Sequence, residues 1–137
     1  RMVSREIKSE EIGIIGMGAI ASRVAKILVN GFGANVSYYN RTRKETLEKE
    51  LCIKYKEKEE LLKTSDVIFI IITENENTIN AIDKKELELM KETAVLINPA
   101  RPKLINPEAL AEALINKKIN VCCCENLRRF PYKWLLK

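Results

Sequence analysis

The chain has 137 residues, with 24 Lys and Arg against 19 Asp and Glu, a net charge of +5, four cysteines and no histidine. That length suits one compact domain with a buried core and is too short for two domains of ordinary size. No apolar run is long enough to span a membrane and no signal-peptide core opens the chain, so a cytoplasmic protein without a membrane partner is expected.

The positive charge does not mark a nucleic-acid surface. Basic residues alternate with glutamates over residues 54–63, as on a solvated helix face, and aromatics are only 6% of the chain, too few for stacking on bases. Abundant Lys, Glu and Ile with no Gln hint at a thermophilic source, against which stand eleven Asn. Arg1 in place of an initial Met suits a piece of a longer protein or an unusual start.

In chain order, strands are expected at residues 11–15, 35–39, 52–55, 66–72, 94–98 and 119–124. Helices are expected between them at 19–30, 44–51, 58–63, 84–91 and 107–117. The first strand runs into Gly16-Met17-Gly18-Ala19-Ile20-Ala21. Gly16 allows a sharp exit from the strand, Gly18 lets backbone approach a pyrophosphate, and Ala21 permits close helix–strand contact. The first-turn amides of Ala19, Ile20 and Ala21, aided by the helix dipole, are the expected phosphate donors. Ile20, Val24, Ile27 and Leu28 share one face of this helix, which Gly31 and Gly33 end.

The second strand ends in Asn40-Arg41-Thr42-Arg43. A domain that binds NAD places a carboxylate there to accept from the ribose hydroxyls, and that carboxylate would repel a 2′-phosphate. Asn40 would not, while Arg41, Thr42 and Arg43 offer donors, so NADP is expected in preference to NAD. Further along, the near-continuous apolar run 67–72 reads as a strand buried on both faces, and Asn106-Pro107 as a helix start. Cys52 falls in the short third strand and Cys122, Cys123 and Cys124 in the sixth. With no paired cysteine motif and no histidine, a buried apolar role is expected and a metal site is not. Six alternating strands and no internal repeat or linker indicate a single α/β domain, a doubly wound parallel sheet of the Rossmann type.

From about Ile12 to Glu125 the chain resembles the cofactor-binding domain of the D-2-hydroxyacid dehydrogenase family, which includes glyoxylate, hydroxypyruvate and phosphoglycerate dehydrogenases. The glycine turn resembles the family's phosphate loop, and Asn40-Arg41-Thr42-Arg43 the version in its NADP-preferring glyoxylate reductases. Glu60-Leu61-Leu62 with Ser65-Asp66-Val67 resembles the segment entering the fourth strand. Leu89-Met90-Lys91 followed by Leu96-Ile97-Asn98-Pro99-Ala100-Arg101 resembles a signature ending in a substrate-binding arginine. The resemblance implies that Arg101 binds a 2-oxo acid carboxylate and that Thr73, Pro99 and Ala100 lie near the nicotinamide. It further implies that Glu125 stands near the carboxamide and that the protein pairs as a homodimer.

The departures are equally specific. Family members use a histidine supported by a glutamate to move the substrate proton; this chain has no histidine and no acid at residues 126–130. Pro102 replaces a glycine after the arginine, the tail 126–137 does not resemble the family, and the family's substrate domain is absent from the 137 residues. The leading expectation is therefore an NADP(H)-binding domain of a 2-oxoacid reductase, incomplete for catalysis alone. The alternatives are a non-catalytic NADP-binding sensor or assembly module, and a relative of the 3-hydroxyacid dehydrogenases, which the region around Arg101 fits poorly.

Overall fold

The computed structural model describes residues 6–124. Among them, six strands form one parallel sheet: β1 (Glu11–Ile15), β2 (Asn35–Tyr39), β3 (Lys54–Tyr55), β4 (Val67–Ile70), β5 (Val95–Asn98) and β6 (Val121–Cys124). Their order is β3-β2-β1-β4-β5-β6. The chain winds outward in one direction from β1 to β3 and in the other from β4 to β6. A crevice therefore opens at the carboxyl ends of β1 and β4, where such sheets take their ligands.

Five α-helices cover the two faces: α1 (Ala19–Lys26), α2 (Glu45–Leu51), α3 (Lys58–Thr64), α4 (Lys84–Leu89) and α5 (Pro107–Ile115). On one face Ile12, Ile14, Val36 and Tyr38 pack with Ala21 and Ala25 of α1 and Leu51 of α2. On the other, Ile68, Ile70 and Leu96 pack with Leu61 and Leu62 of α3, Leu87 of α4 and Leu110 of α5. β1 is buried on both faces, in the doubly wound arrangement expected from the alternation of elements. The run 67–72 is not, against expectation: Ile68 and Ile70 are buried on one face of β4, while Val67 and Phe69 on the other are only half-buried. The Asn106-Pro107 start is also observed: the Asn106 side-chain oxygen accepts from the amides of Glu108 and Ala109. Among the described residues no helix is long and apolar enough to cross a membrane.

Three expectations need correction. The buried face of α1 is Ala21 and Ala25, continued by Leu28, whereas Ile20 is 69% and Ile27 60% exposed. Alanines let the helix axis come close to the sheet, so the small residues take the inner face and the large ones are turned outward. The helix also gives way after Lys26 to a wider π-helical turn, Ile27–Gly31, followed by Gly33 at φ 61°. Cys52 is not in a strand. It caps α2 at φ 55° in the left-handed region, exposed between buried Leu51 and Ile53, and β3 begins only at Lys54. Finally, β4, β5 and β6 are shorter than expected, although Asp66, Ile71, Ala94 and Asn120 beside them still make backbone bonds to the neighbouring strands or their flanks. Glu125, the tail 126–137 and the side-chain surroundings of Cys122, Cys123 and Cys124 lie outside the described residues.

Candidate functional site

The glycine turn closes on backbone alone. Gly16 has φ +104° and donates its amide to the Tyr39 carbonyl at 2.7 Å, while Ile71 donates to Ile15 at 2.8 Å. This ties the turn to the ends of both β2 and β4. A Cβ on Gly16 would run into the Ile71 carbonyl. Gly18 is different: it is exposed, it caps α1, and a Cβ there would meet nothing within 4 Å. Its carbonyl accepts from the Ser22 amide at 2.9 Å and the Ser22 hydroxyl at 2.7 Å. The amides of Ala19, Ile20 and Ala21 precede the first intrahelical bond and face the open side of the turn's helix. Open space over Gly18 beside free first-turn amides is what a pyrophosphate group requires, so the residues present fit a dinucleotide.

The loop after β2 is organised by Asn40. Its Oδ1 accepts from the Met17 amide at 3.1 Å and its Nδ2 donates to the Thr42 carbonyl at 2.7 Å. One side chain thus joins the glycine turn to the Asn40–Arg43 loop. Arg41 and Thr42 are exposed, and Arg41 has no ion pair or side-chain hydrogen bond among the described residues. Arg43 is engaged instead: Nε and Nη2 donate to the two carboxylate oxygens of Glu48 at 2.9 and 2.8 Å, and the guanidinium lies 5.4 Å from the centre of the Tyr55 ring. Glu48 also accepts from the buried Tyr38 hydroxyl at 2.8 Å, which in turn accepts from the Lys44 amide at 2.8 Å. The bond to Arg43 holds the Glu48 carboxyl below its ordinary pKa, and burial pushes the Tyr38 phenol up.

The opposite wall comes from the ends of β4 and β5. Buried Asn98 accepts from the Ala100 amide at 3.1 Å and donates to the Arg101 carbonyl at 2.7 Å, folding Pro99 and Ala100 into a tight turn. Pro102 does not disturb this turn. It occupies the first position of a 3₁₀ helix, Pro102–Leu104, where a missing amide and a fixed φ are tolerated. After β4, the Thr78 hydroxyl donates to the Thr73 carbonyl at 2.7 Å and closes that loop.

A cleft of about 570 Å³ brings these parts together. One side is Gly18, Ala19, Ile20 and Ala21; the other is Thr73, Pro99, Ala100 and Arg101, with Ile71, Ile72 and Glu74 completing the lining. Eight of the expected site residues therefore share one cleft at the crevice between β1 and β4. Gly16 shapes the turn outside the lining, and Asn40, Arg41, Thr42 and Arg43 lie beyond it, linked through Asn40 and Met17. Arg101 is exposed, with Nη1 donating to the Ala100 carbonyl at 3.0 Å. Sequence reasoning assigned no role to Asn98, Glu48, Tyr38 or Glu74. Only the Asn98-Pro pair, a common turn opener, carried a signal.

Strand order, glycine turn and cleft define a dinucleotide-binding domain of the Rossmann type. The chain belongs to the D-isomer specific 2-hydroxyacid dehydrogenases: the model of that family's NAD binding domain matches residues 1–131. It is 43% identical over 112 residues to a glyoxylate reductase of Thermococcus gammatolerans, covering 82% of this chain and 33% of that protein. A glyoxylate reductase of Aeropyrum pernix is 41% identical over 113 residues, with the same coverage. Among solved structures, a glyoxylate reductase from Paecilomyes thermophila superposes with a TM-score of 0.87 at 33% identity, covering 99% of this chain and 42% of that one. The NAD-complexed D-isomer specific 2-hydroxyacid dehydrogenase of Lactobacillus delbrueckii ssp. bulgaricus gives 0.84 at 32% identity, covering 90% and 36%. The chain thus spans about a third of the length of the curated relatives it matches.

Proposed function

We propose that this domain holds NADP(H) in preference to NAD(H) and serves a reductase acting on a small 2-oxo acid such as glyoxylate or hydroxypyruvate. The observation that carries the reading is the cleft joining the open glycine turn to Arg101. A nicotinamide cofactor supplies the hydride when bound; the chain's own residues bind and orient. The amides of Ala19, Ile20 and Ala21 take the pyrophosphate, and Thr73, Pro99 and Ala100 flank the nicotinamide. Arg101 takes the substrate carboxylate as a planar, permanently charged fork, a geometry that also polarises an adjacent keto oxygen. Reducing that ketone also needs a proton donor. This chain has no histidine to serve as one, so the domain alone is not expected to complete the reaction. Pairing as a homodimer is part of the same proposal, and a monomeric mass by light scattering would count against it.

The NADP preference rests on Asn40. An amide at this position accepts from Met17 and donates to Thr42 without placing an anion beside the adenosine ribose. In the Asn40→Asp variant the bond from Met17 survives, the donation to Thr42 is lost, and a negative charge faces the 2′-phosphate. NADPH affinity is expected to fall by about tenfold or more relative to NADH, the worth of one charged hydrogen bond. Fluorescence titration of both nucleotides checks this, and equal affinities for NADPH and NADH in the unmodified protein would contradict the preference.

A further inference from the structure

We infer that Glu48 is a specificity-determining residue that withholds Arg43 from the ribose 2′-phosphate and leaves Arg41 as the arginine that reads it. The inference rests on the proposed binding of NADP(H) at the end of β2. Two arginines stand in one short loop, but their surroundings differ. Arg43 is held by a two-point bond to the Glu48 carboxylate and lies over Tyr55 of β3, two strands away from the glycine turn on β1. Fork-to-fork pairing of this kind is among the strongest interactions a guanidinium makes.

Glu48 is itself fixed. Its side chain is 14% exposed against 55% for Arg43, and Tyr38, fully buried in β2, donates to the same oxygen that receives Arg43 Nε. Tyr38 is held in turn by the Lys44 amide and by its edge-on contact with the Tyr55 ring, at 5.6 Å between centres. An anion this well anchored competes with any phosphate for Arg43, and it does so from a preorganised position. Arg41, one residue past Asn40, has no such competitor among the described residues. Glu48 acts through Arg43 and is a positioning residue. It sets how much of the loop's positive charge a 2′-phosphate meets.

The test is a fluorescence titration of the full chain with NADPH and with NADH, for the unmodified protein, Glu48→Gln and the double variant Glu48→Gln/Arg43→Ala. Glutamine keeps the shape and can still accept from Tyr38, but it no longer neutralises Arg43. Glu48→Gln is expected to tighten NADPH about tenfold and leave NADH within about twofold, and the double variant to lose that gain. No gain, an equal gain for both nucleotides, or a gain that survives in the double variant would overturn the inference. Equal affinities in the unmodified protein would sink the NADP reading on its own. If Glu48→Gln then acquires a preference for NADPH the Glu48 inference stands, and if it does not, both fall. A second readout needs no variant: the Arg43 Nε–H resonance of the unmodified protein is expected to keep its position on saturation with NADPH. A shift with NADPH that NADH does not cause would show Arg43 leaving Glu48 and would overturn the inference.

Discussion

Replacing Gly16 with alanine is expected to remove about 4 kcal/mol of stability, a large part of the roughly 5–15 kcal/mol a domain has to lose. Two costs add. At φ +104° an L side chain is strained by about 1–3 kcal/mol, and the new Cβ meets the Ile71 carbonyl, which belongs to backbone tied to β1 and cannot move aside cheaply. The partner substitution separates folding from binding. Gly18→Ala adds a methyl group to open space but puts a poorer N-cap residue on α1, so stability is expected to fall by no more than about 1 kcal/mol while the new methyl intrudes where the pyrophosphate would lie. Urea unfolding of the two variants decides the matter. A loss below about 1 kcal/mol for Gly16→Ala would mean that the turn is not held as described.

The second large effect is at Asn98. Its side chain is 2% exposed and both of its polar atoms are used, one by the Ala100 amide and one by the Arg101 carbonyl. Alanine in its place leaves two backbone groups without partners, a cost of about 1–3 kcal/mol, and removes what shapes the turn that carries Arg101. The Ala100 amide is then expected to exchange its hydrogen at least about tenfold faster. Asn98→Asp discriminates between the two bonds, since a carboxylate can still accept from Ala100 but cannot donate to Arg101. Ala100 protection should survive in that variant while stability still falls. If both variants exchanged at the rate of the unmodified protein, the turn would owe its shape to Pro99 and Pro102 instead.

How far the sequence disclosed this arrangement depended on the kind of force involved. Gly16 was legible because its backbone geometry restricts it to glycine, Gly18 because a pyrophosphate needs close backbone approach, and the start of α5 because Asn106 and Pro107 have positional meanings set by unpaired helix amides. The doubly wound class followed from the alternation of strands and helices. The packing of α1 was misread because large apolar residues were assumed to face inward, whereas the sheet approaches closely enough to admit only Ala21 and Ala25. Gly13 sits under the same kind of pressure: a Cβ there would press on Leu61 and Ser65, an approach with no local sequence signal. Cys52, between two buried apolar residues, looked like strand because a left-handed helix cap and an apolar strand share that short pattern. The bonds of Asn40 and Glu48 join residues across loops and elements, with no periodicity to betray them.

The site itself was read in two halves of unequal clarity. The residues of the cleft were legible as a set, because a glycine turn and a strand-end arginine occupy fixed places in a doubly wound sheet. The division of labour between Arg41 and Arg43 was not, since it depends on Glu48 in the next helix and on Tyr38 and Tyr55 in two strands.

One measurement bears most directly on the reading as a whole: titration of the unmodified 137-residue chain with NADPH and NADH, followed by nucleotide fluorescence. Saturable binding of both, tighter for NADPH, is the predicted result. No saturable binding of either nucleotide by the folded chain would contradict it.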